Sequence, residues 1–164
     1  MDAFVNSAAI DAIVVALPAE LAAAPPDYLH GRTKPLAIVT GGERRQDSVR
    51  HAFTVAARLA DLVVIHDAAR PLVTDTLIRR TVDAAVDSGA AIAALRVSDT
   101  IKRGDSTGRI VETLPRGDIY LAQTPQAFRV QVLRDPHHER CLAAAADAEV
   151  SHHDHGYAGA MAAH

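Results

Sequence analysis

The residues best suited to chemistry stand together just after one apolar run. Residues 62–65 read Leu-Val-Val-Ile, a short β-branched segment typical of a strand buried on both faces, and His66, Asp67 and Arg70 follow it before Pro71. In an open α/β sheet, ligands bind at the carboxyl ends of such strands. A carboxylate and a guanidinium are therefore predicted at the rim of a crevice. A local Asp67–Arg70 ion pair that closes the loop is the alternative, and the spacing alone leaves both open.

A second candidate site is the glycine pair that follows another predicted strand. Gly41 and Gly42 lie between an apolar run at residues 36–39 and a helical pattern that begins at Gln46. Paired glycines let backbone N–H groups approach a ligand, and the N-terminus of the following helix favours an anion. Ser48 adds a hydroxyl in the first helical turn. A turn required only for steric reasons remains the alternative.

Histidines and cations elsewhere in the chain are weaker candidates. His66 is interpreted as a strand-end residue oriented by hydrogen bonds rather than as a catalytic base. The tail histidines are a minority candidate for a metal site, because no apolar framework holds them: His152, His153 and His155. Lys102, Arg103 and Arg116 form either a phosphate-binding group or a solvated basic face. Thr124-Pro125-Gln126 follows a short strand and is a further weak candidate, for which turn chemistry is the alternative.

Bulk composition excludes several classes of protein. The 164 residues suit one domain, and 49% hydrophobic with 23% charged residues is ordinary for a globular chain. The net charge of −3 gives no electrostatic reason to expect a nucleic-acid partner. No apolar run reaches membrane-spanning length, and the single cysteine fits a reducing compartment. We therefore expect a cytoplasmic protein that binds neither membranes nor nucleic acid.

The elements that position these residues alternate between strand and helix. Residues 10–17, 36–39, 62–65 and 90–97 are predicted strands, and helical periodicity covers residues 46–59 and the stretch from Asp75 to Gly89, with Thr74 as its N-cap. This order predicts an α/β domain with a parallel sheet and right-handed crossovers. The domain is expected to comprise residues 1–98 and 119–146, the latter with a helix from residue 130 to 146.

The rhythm changes at residues 99–118. Residues 100–103 and 109–113 read as two strands joined by a turn, and this segment is here called the arm. A lone hairpin is marginally stable in water, so the arm is expected to lean on a second copy of the chain. Residues 147–164 have neither strand nor helix periodicity and are expected to form an irregular, His-rich tail.

Taken together, six segments resemble the 2-C-methyl-D-erythritol 4-phosphate cytidylyltransferase family of the non-mevalonate isoprenoid pathway. The segments, in family order, are IDAIVVALP, TGGERRQDSVRHAF, VVIHDAARPLV, VSDTIKRG, GRIVETLPRGDIY and LAQTPQAF, between Phe4 and Phe128. Ribitol-phosphate cytidylyltransferases are similar too. Their central motif usually has Val at the position of Ala69, which favours the isoprenoid enzyme.

The resemblance implies a Rossmann-like nucleotidyltransferase sheet with a dimerising β-arm, and it implies roles for matching residues. The nucleotide-binding positions are Gly41, Gly42, Glu43, Ser48, Asp67 and Ala68. The substrate-binding positions are Asp67, Arg70, Thr100 and Arg116, of which Arg70 and Arg116 are also assigned to catalysis. Arg116 is expected to reach from one subunit's arm into the other subunit. No residue is assigned to a metal.

The implied reaction joins CTP to 2-C-methyl-D-erythritol 4-phosphate and releases pyrophosphate. The nucleophile is an ionised phosphate monoester, so catalysis depends on in-line positioning and on cations that neutralise the growing charge. Mg²⁺ is expected as the cofactor, bound mainly through the CTP phosphates. Two substrates and a second copy of the chain, as a homodimer, are the expected partners.

The resemblance also predicts where this chain departs from the family. The family opens with a strand, a Gly-rich loop carrying an Arg, and a nearby Lys, whereas no Gly-rich loop precedes Gly31 here. The family later has a Thr-Asp pair and a Lys, where this chain reads Asp-Ala-Glu-Val-Ser-His from residue 147. The expected result is an incomplete domain with impaired turnover. The alternative functions are a non-catalytic dimerisation partner of a complete homologue and a protein with a metal-binding tail.

Overall fold

The computed structural model describes residues 1–134 and 159–162, and within them helices and strands alternate up to Arg96. The predicted strand at residues 62–65 and the two helices are confirmed, while the predicted first strand begins three residues late. The elements are α1 Asp2–Asn6, β1 Ile13–Leu17, α2 Ala19–Ala23, a 3₁₀ turn Asp27–Leu29, β2 Leu36–Thr40, α3 Arg45–Ala56, β3 Leu62–Ile65, α4 Asp75–Ser88, β4 Ala90–Arg96, β5 Ile101–Gly104, β6 Ile110–Leu114, β7 Tyr120–Arg129, α5 Val130–Arg134 and β8 Gly159–Ala162.

The described strands form three sheets. β1 and β2 pair in parallel, β3, β7, β4 and β8 form a four-stranded sheet in that order, and β5 pairs with β6 in the arm. The fold class is therefore α/β, as predicted. The predicted parallel direction holds for the strands of the first hundred residues, since β1 pairs in parallel with β2, and β3 and β4 both run antiparallel to β7 and so parallel to each other. β3 and β4 do not pair directly, because β7 lies between them. The chain reverses at the arm, and the returning strand takes the central place.

Helix α4 shows why the local patterns were informative. The side chain of Thr74 accepts a hydrogen bond from Leu77 N at 3.3 Å, which satisfies one of the free donors of the first turn. Gly89 ends the helix with φ of 89°, in the left-handed region that glycine adopts without a steric cost. Both predicted caps are confirmed.

The apolar core lies on the four-stranded sheet. β4 is buried from Ala90 to Ala94, and Phe128 on β7 is 2% exposed. Val63, Ile92 and Phe128 form one cluster with other buried residues, against which side chains of α3 pack. The core therefore fixes β3 and β7 firmly beside each other, and these two strands carry the residues described below.

Two predictions on the second half of the chain require correction. Thr124-Pro125-Gln126 is not a turn after a strand, because β7 continues through it. Its residues 123–125 bulge opposite Ala93, where the register shifts between Ile92 and Ala94. The irregular segment predicted for 147–164 contains β8, which pairs antiparallel with β4.

The remaining predictions at this end lie outside the described residues. These are the rest of the predicted 130–146 helix beyond Arg134 and the tail histidines His152, His153 and His155. Among the residues that the structure describes, no helix is both long and apolar enough to cross a membrane.

Candidate functional site

A cleft of about 580 Å³ lies between β1 and β3. In the described part of the chain, the only strand that pairs with β1 is β2, and the only strand that pairs with β3 is β7, so the cleft separates the two sheets. Helix α3 packs against β1, β2 and β3. The walls of the cleft are mainly apolar side chains of the two strands, and charged and hydroxyl groups join them where the strands end: Arg45, Ser48, Asp67 and Arg70.

The strand-end loop, residues 66–71, brings Asp67 and Arg70 to this cleft. Arg70 N donates to Asp67 O at 3.0 Å, which tightens the loop into a turn. The Asp67 carboxylate accepts from Arg45 Nε at 2.7 Å and lies 3.6 Å from Arg70 Nε. The two predicted alternatives therefore coexist: the ion pair closes the loop, and both side chains line a cleft.

The ion pairs at Asp67 leave the charges available to a ligand. The side chains of Asp67 and Arg70 are 31% and 43% exposed. Pairs this exposed contribute at most about 1 kcal/mol to folding stability. A phosphate group that replaced Asp67 as the partner of Arg70 would therefore cost little free energy. Two parallel hydrogen bonds from the guanidinium would then orient the phosphate as well as balance its charge.

His66 holds the loop from within. Its Nε2 lies 2.9 Å from Arg70 O, and its Nδ1 lies 3.0 Å from Thr124 Oγ1. The Phe4 ring of α1 packs on the imidazole at 4.9 Å between centroids. Burial lowers the pKa of His66 below its usual 6.5, although the Arg70 carbonyl and Asp67 oppose that shift. The interpretation of His66 as a residue oriented by hydrogen bonds is confirmed.

The bulge of β7 supplies contacts that the sequence interpretation missed. Thr124 Oγ1 accepts from Asp67 N at 3.2 Å, and Arg70 Nη1 donates to Gln123 Oε1. Gln126 Nε2 donates to Gln123 O at 3.2 Å and so supports the bulge. Gln123 and Thr124 lie in the segment LAQTPQAF, which carried the family resemblance. Their position in this segment was the available signal for a role at the site, but the interpretation of residues 124–126 as a turn gave them none.

Arg45 is the other residue that sequence reasoning overlooked. It is the first residue of α3 and holds the Asp67 carboxylate across the mouth of the cleft. The segment TGGERRQDSVRHAF included it without assigning it a role. The two consecutive arginines, Arg44 and Arg45, could have suggested a second cation near the glycine pair. Neighbouring residues at the start of a helix point in different directions, so one of the two could face the cleft while the other faces Asp47.

The glycine pair is packed tightly against the start of α3. Gly42 N donates to Ser48 Oγ at 2.9 Å, and Gly41 N donates to Leu17 O at 2.7 Å, which ties β1 to this turn. A Cβ built on Gly42 would lie 2.3 Å from Asp47 Cβ, so glycine is sterically required there. The predicted steric explanation for the pair is thus supported. Both N–H groups are used within the chain.

Neighbouring charges fix the outer side of this turn. Arg44 Nε and Nη2 donate to the two Asp47 oxygens at 3.0 and 3.1 Å. The Arg44 guanidinium lowers the pKa of the Asp47 carboxyl through this hydrogen-bonded pair. Of the predicted nucleotide-binding residues, Ser48, Asp67 and Ala68 line the cleft, whereas Gly41, Gly42 and Glu43 lie outside its lining.

Thr100 and Arg116 lie apart from the cleft of their own chain. Both are exposed at the base of the arm and neither lines the cleft. Arg116 Nη1 donates to Ser98 O, a contact within that base. Within one chain, Ser48, Asp67, Ala68 and Arg70 line the cleft, whereas Thr100 and Arg116 lie elsewhere.

No group of three His, Cys, Asp or Glu side chains placed to hold a metal occurs in residues 1–134 or 159–162. The Asp67 carboxylate is already engaged by two guanidinium groups.

Comparison with known proteins gives a consistent result. Residues 1–160 match the family model described as IspD, 2-C-methyl-D-erythritol 4-phosphate cytidylyltransferase. A Syntrophus aciditrophicus protein of that description is 48% identical over 103 residues, covering 63% of this chain and 44% of the relative. A Bacillus pumilus protein of the same description is 41% identical over 109 residues, covering 66% of this chain and 47% of the relative.

A solved structure agrees with these sequence matches. The 2-C-methyl-D-erythritol 4-phosphate cytidylyltransferase of Thermus thermophilus superposes with a TM-score of 0.68 at 32% identity, covering 92% of this chain and 73% of that one. This chain spans about half the length of the two curated relatives, since its matches cover 44% and 47% of them.

Proposed function

Because the chain belongs to the 2-C-methyl-D-erythritol 4-phosphate cytidylyltransferase family, we propose that it takes part in the transfer of a cytidylyl group from CTP to 2-C-methyl-D-erythritol 4-phosphate, here called methylerythritol phosphate. The products are 4-diphosphocytidyl-2-C-methyl-D-erythritol and pyrophosphate. Ribitol 5-phosphate is the alternative acceptor. The reducing environment suited to a lone cysteine supports a cytoplasmic location.

The observation that carries this proposal is the position of Asp67 and Arg70. Both lie on the loop after β3, at the mouth of the cleft between β1 and β3, and both remain partly exposed. A guanidinium offers phosphate a planar, fixed set of donors, and a carboxylate accepts hydrogen bonds from the hydroxyls of a ribose or a sugar alcohol. The pair therefore fits two phosphorylated ligands side by side.

These residue types suit the proposed reaction. An ionised oxygen of methylerythritol phosphate attacks the α-phosphorus of CTP, the bond from that phosphorus to the bridging oxygen breaks, and pyrophosphate leaves with the electron pair. The nucleophile needs no general base. Arg70 holds the attacking phosphate in line and balances its charge. Mg²⁺ held by the CTP phosphates would neutralise charge on the leaving group.

A homodimer would complete the site with Arg116 of a second copy. The support is that Arg116 lies outside its own chain's cleft and that, within the described residues, the two arm strands β5 and β6 pair only with each other. Ile110 and Val111 on the arm are 66% and 59% exposed. Apolar side chains this exposed on a two-stranded hairpin favour a covering surface.

The test uses the chain as given, with CTP, Mg²⁺ and either methylerythritol phosphate or ribitol 5-phosphate. Calorimetry measures binding of each compound, and a coupled assay measures pyrophosphate. We expect methylerythritol phosphate to bind more tightly than ribitol 5-phosphate and pyrophosphate release to require both CTP and the acceptor. The proposal would be contradicted if neither methylerythritol phosphate nor ribitol 5-phosphate bound to the chain.

A second candidate function, support of a complete homologue through the arm, rests on the same exposed hairpin. In that case the chain binds methylerythritol phosphate without turnover and forms mixed dimers with a longer relative, to which it lends Arg116. Co-expression with the Syntrophus aciditrophicus relative, followed by affinity capture of one tagged chain, measures this. Recovery of separate species alone would exclude it.

A further inference from the structure

We propose that Thr124 and His66 form a clamp that positions Asp67 and Arg70 toward the cleft. This inference rests on the proposed function, because it assigns to the clamp a role in binding the sugar phosphate. Thr124 does not line the cleft. His66 does line it, but both of its ring nitrogens already contact Arg70 O and Thr124 Oγ1, so both residues act through the loop that they hold. They are positioning residues, with Thr124 on β7 and His66 directly after β3.

The hydrogen-bond directions of the clamp follow from its two fixed ends. The Arg70 carbonyl only accepts, so His66 Nε2 carries the hydrogen that bridges their 2.9 Å contact. A neutral imidazole then accepts at Nδ1, and the Thr124 hydroxyl must donate to it across 3.0 Å. The hydroxyl oxygen in turn accepts from Asp67 N at 3.2 Å. The Thr124 hydroxyl thus donates once and accepts once, and the series of hydrogen bonds runs from Asp67 N through Thr124 and His66 to Arg70 O.

The clamp stands on rigid supports. Thr124 is 6% exposed, and it belongs to the strand that pairs with both β3 and β4. Ile65, the last residue of β3, pairs with Gln126, which places the end of β3 directly beside the bulge. The bulge turns Thr124 toward the strand-end loop, residues 66–71. β-Bulges often redirect a side chain in this way next to active sites. The clamp thus transfers the fixed geometry of the sheet to the loop.

Removal of the Thr124 hydroxyl tests whether the clamp acts on the strand-end loop or only on the stability of the whole fold. Thr124→Val keeps the shape of the side chain but leaves Asp67 N–H and His66 Nδ1 without their partner, whereas Thr124→Ser keeps the hydroxyl. Thr81→Val is the matched control, because the Thr81 hydroxyl is fully buried on α4 and donates to Leu77 O at 2.8 Å, away from the cleft. All three variants change one buried threonine.

The first measurement needs no ligand. Long-range ¹H–¹⁵N spectra of the labelled chain report which nitrogen of His66 carries the hydrogen, and hydrogen exchange reports protection of the Asp67 amide. We expect the Nε2–H form at neutral pH. We expect exchange at Asp67 to rise about tenfold in Thr124→Val, the effect of one net hydrogen bond, and to stay within about threefold of wild type in Thr124→Ser and Thr81→Val. The Nδ1–H form, or unchanged exchange in Thr124→Val, would overturn the clamp.

The second measurement is binding of methylerythritol phosphate by calorimetry. We expect Thr124→Val to weaken binding about tenfold, Thr124→Ser to restore it, and Thr81→Val to lower the melting temperature with binding unchanged. Faster exchange with unaltered binding would show a clamp that positions nothing and would overturn the inference. If the wild-type chain binds no sugar phosphate, the proposed function fails, while the tautomer and the exchange rates still decide whether the clamp exists.

Discussion

The strand-end loop and the arm carry the two arginines assigned to catalysis, and they are held in opposite ways. Residues 66–71 make contacts with α1, α3 and β7, through Phe4, Arg45, Gln123 and Thr124. The arm strands hydrogen bond with each other, and the large apolar side chains of Ile110 and Val111 are exposed. The loop is positioned by its own chain. We propose that the arm packs on a second copy of the chain, as the family resemblance implies.

The largest expected effect is the loss of Arg70 from the loop. Arg70→Ala removes a guanidinium that faces the cleft, and hydrogen bonds to charged groups are worth about 1.5–3 kcal/mol. We expect the affinity for methylerythritol phosphate to fall about 10- to 100-fold. Arg79→Ala, which removes an exposed arginine from α4, should change nothing in the same calorimetric titration. If both variants lowered the affinity equally, Arg70 would contribute no more to binding than an exposed arginine far from the cleft.

Two glycine substitutions compare the packing of the glycine turn before α3, beside the cleft, with the packing of the arm. At Gly42 a Cβ would lie 2.3 Å from Asp47 Cβ, so Gly42→Ala must displace the start of α3 and is expected to cost about 1–3 kcal/mol. At Gly117, in the arm, no atom lies within 4 Å of such a Cβ. Gly117→Ala should leave stability unchanged or raise it slightly, because the unfolded chain loses freedom. Urea denaturation of both variants measures this, and a costly Gly117→Ala would show a packed arm.

A fall in pH should destabilise the strand-end loop and the arm at different pH values. Burial lowers the pKa of His66, which is faced by Asp67, Arg70 and the N-terminal ammonium group, so the unfolded state binds its proton first. The stability from neutral His66 is complete above the ordinary value of 6.5 and falls as pH decreases below it. In the arm, hydrogen bonds from Thr107 and Arg109 lower the pKa of Asp105, so its contribution is lost only as pH falls below 3.8.

Amide exchange along a pH series distinguishes the two responses. We expect protection around residues 66–71 to weaken first and protection of the arm turn, residues 105–109, to persist to lower pH. His66→Gln should remove the first transition and leave the second. Simultaneous loss of protection in both regions would show that they open as one unit.

The smallest effect should come from the charge pair across the arm. Arg103 pairs with Glu112 between β5 and β6, with side chains 64% and 40% exposed. Pairs of this exposure contribute about 0–1 kcal/mol, so Arg103→Ala should shift the urea midpoint very little. A large shift would indicate that a second surface buries this pair in solution.

The local elements of the fold could be predicted because their signals are local. The run at 62–65 is apolar throughout, has three β-branched residues and is bounded by Asp61 and His66, and α4 has a capping threonine and a terminal glycine. The direction of β7 could not be predicted, since nothing in its own residues records that it lies between β3 and β4.

The site was predictable in part for the same reason. Asp67 and Arg70 follow their strand directly in the sequence, so the position of a strand end was enough to find them. Thr124 lies 57 residues from Asp67, and Gln123 lies 53 from Arg70. Contacts at such separations are decided by strand pairing and by a bulge, which a pattern of residue types does not encode.

The central proposal is that two arginines from different chains, Arg70 and Arg116, meet at one cleft. Mixing Arg70→Ala dimers with Arg116→Ala dimers, with subunit exchange, tests this directly by calorimetry with methylerythritol phosphate. If Arg116 is donated across a symmetric dimer, each mixed dimer contains one site with both arginines, and tight binding returns to that site although neither parent shows it. If mixed dimers form and bind as weakly as their parents, Arg116 does not serve the partner's cleft and the central claim is wrong.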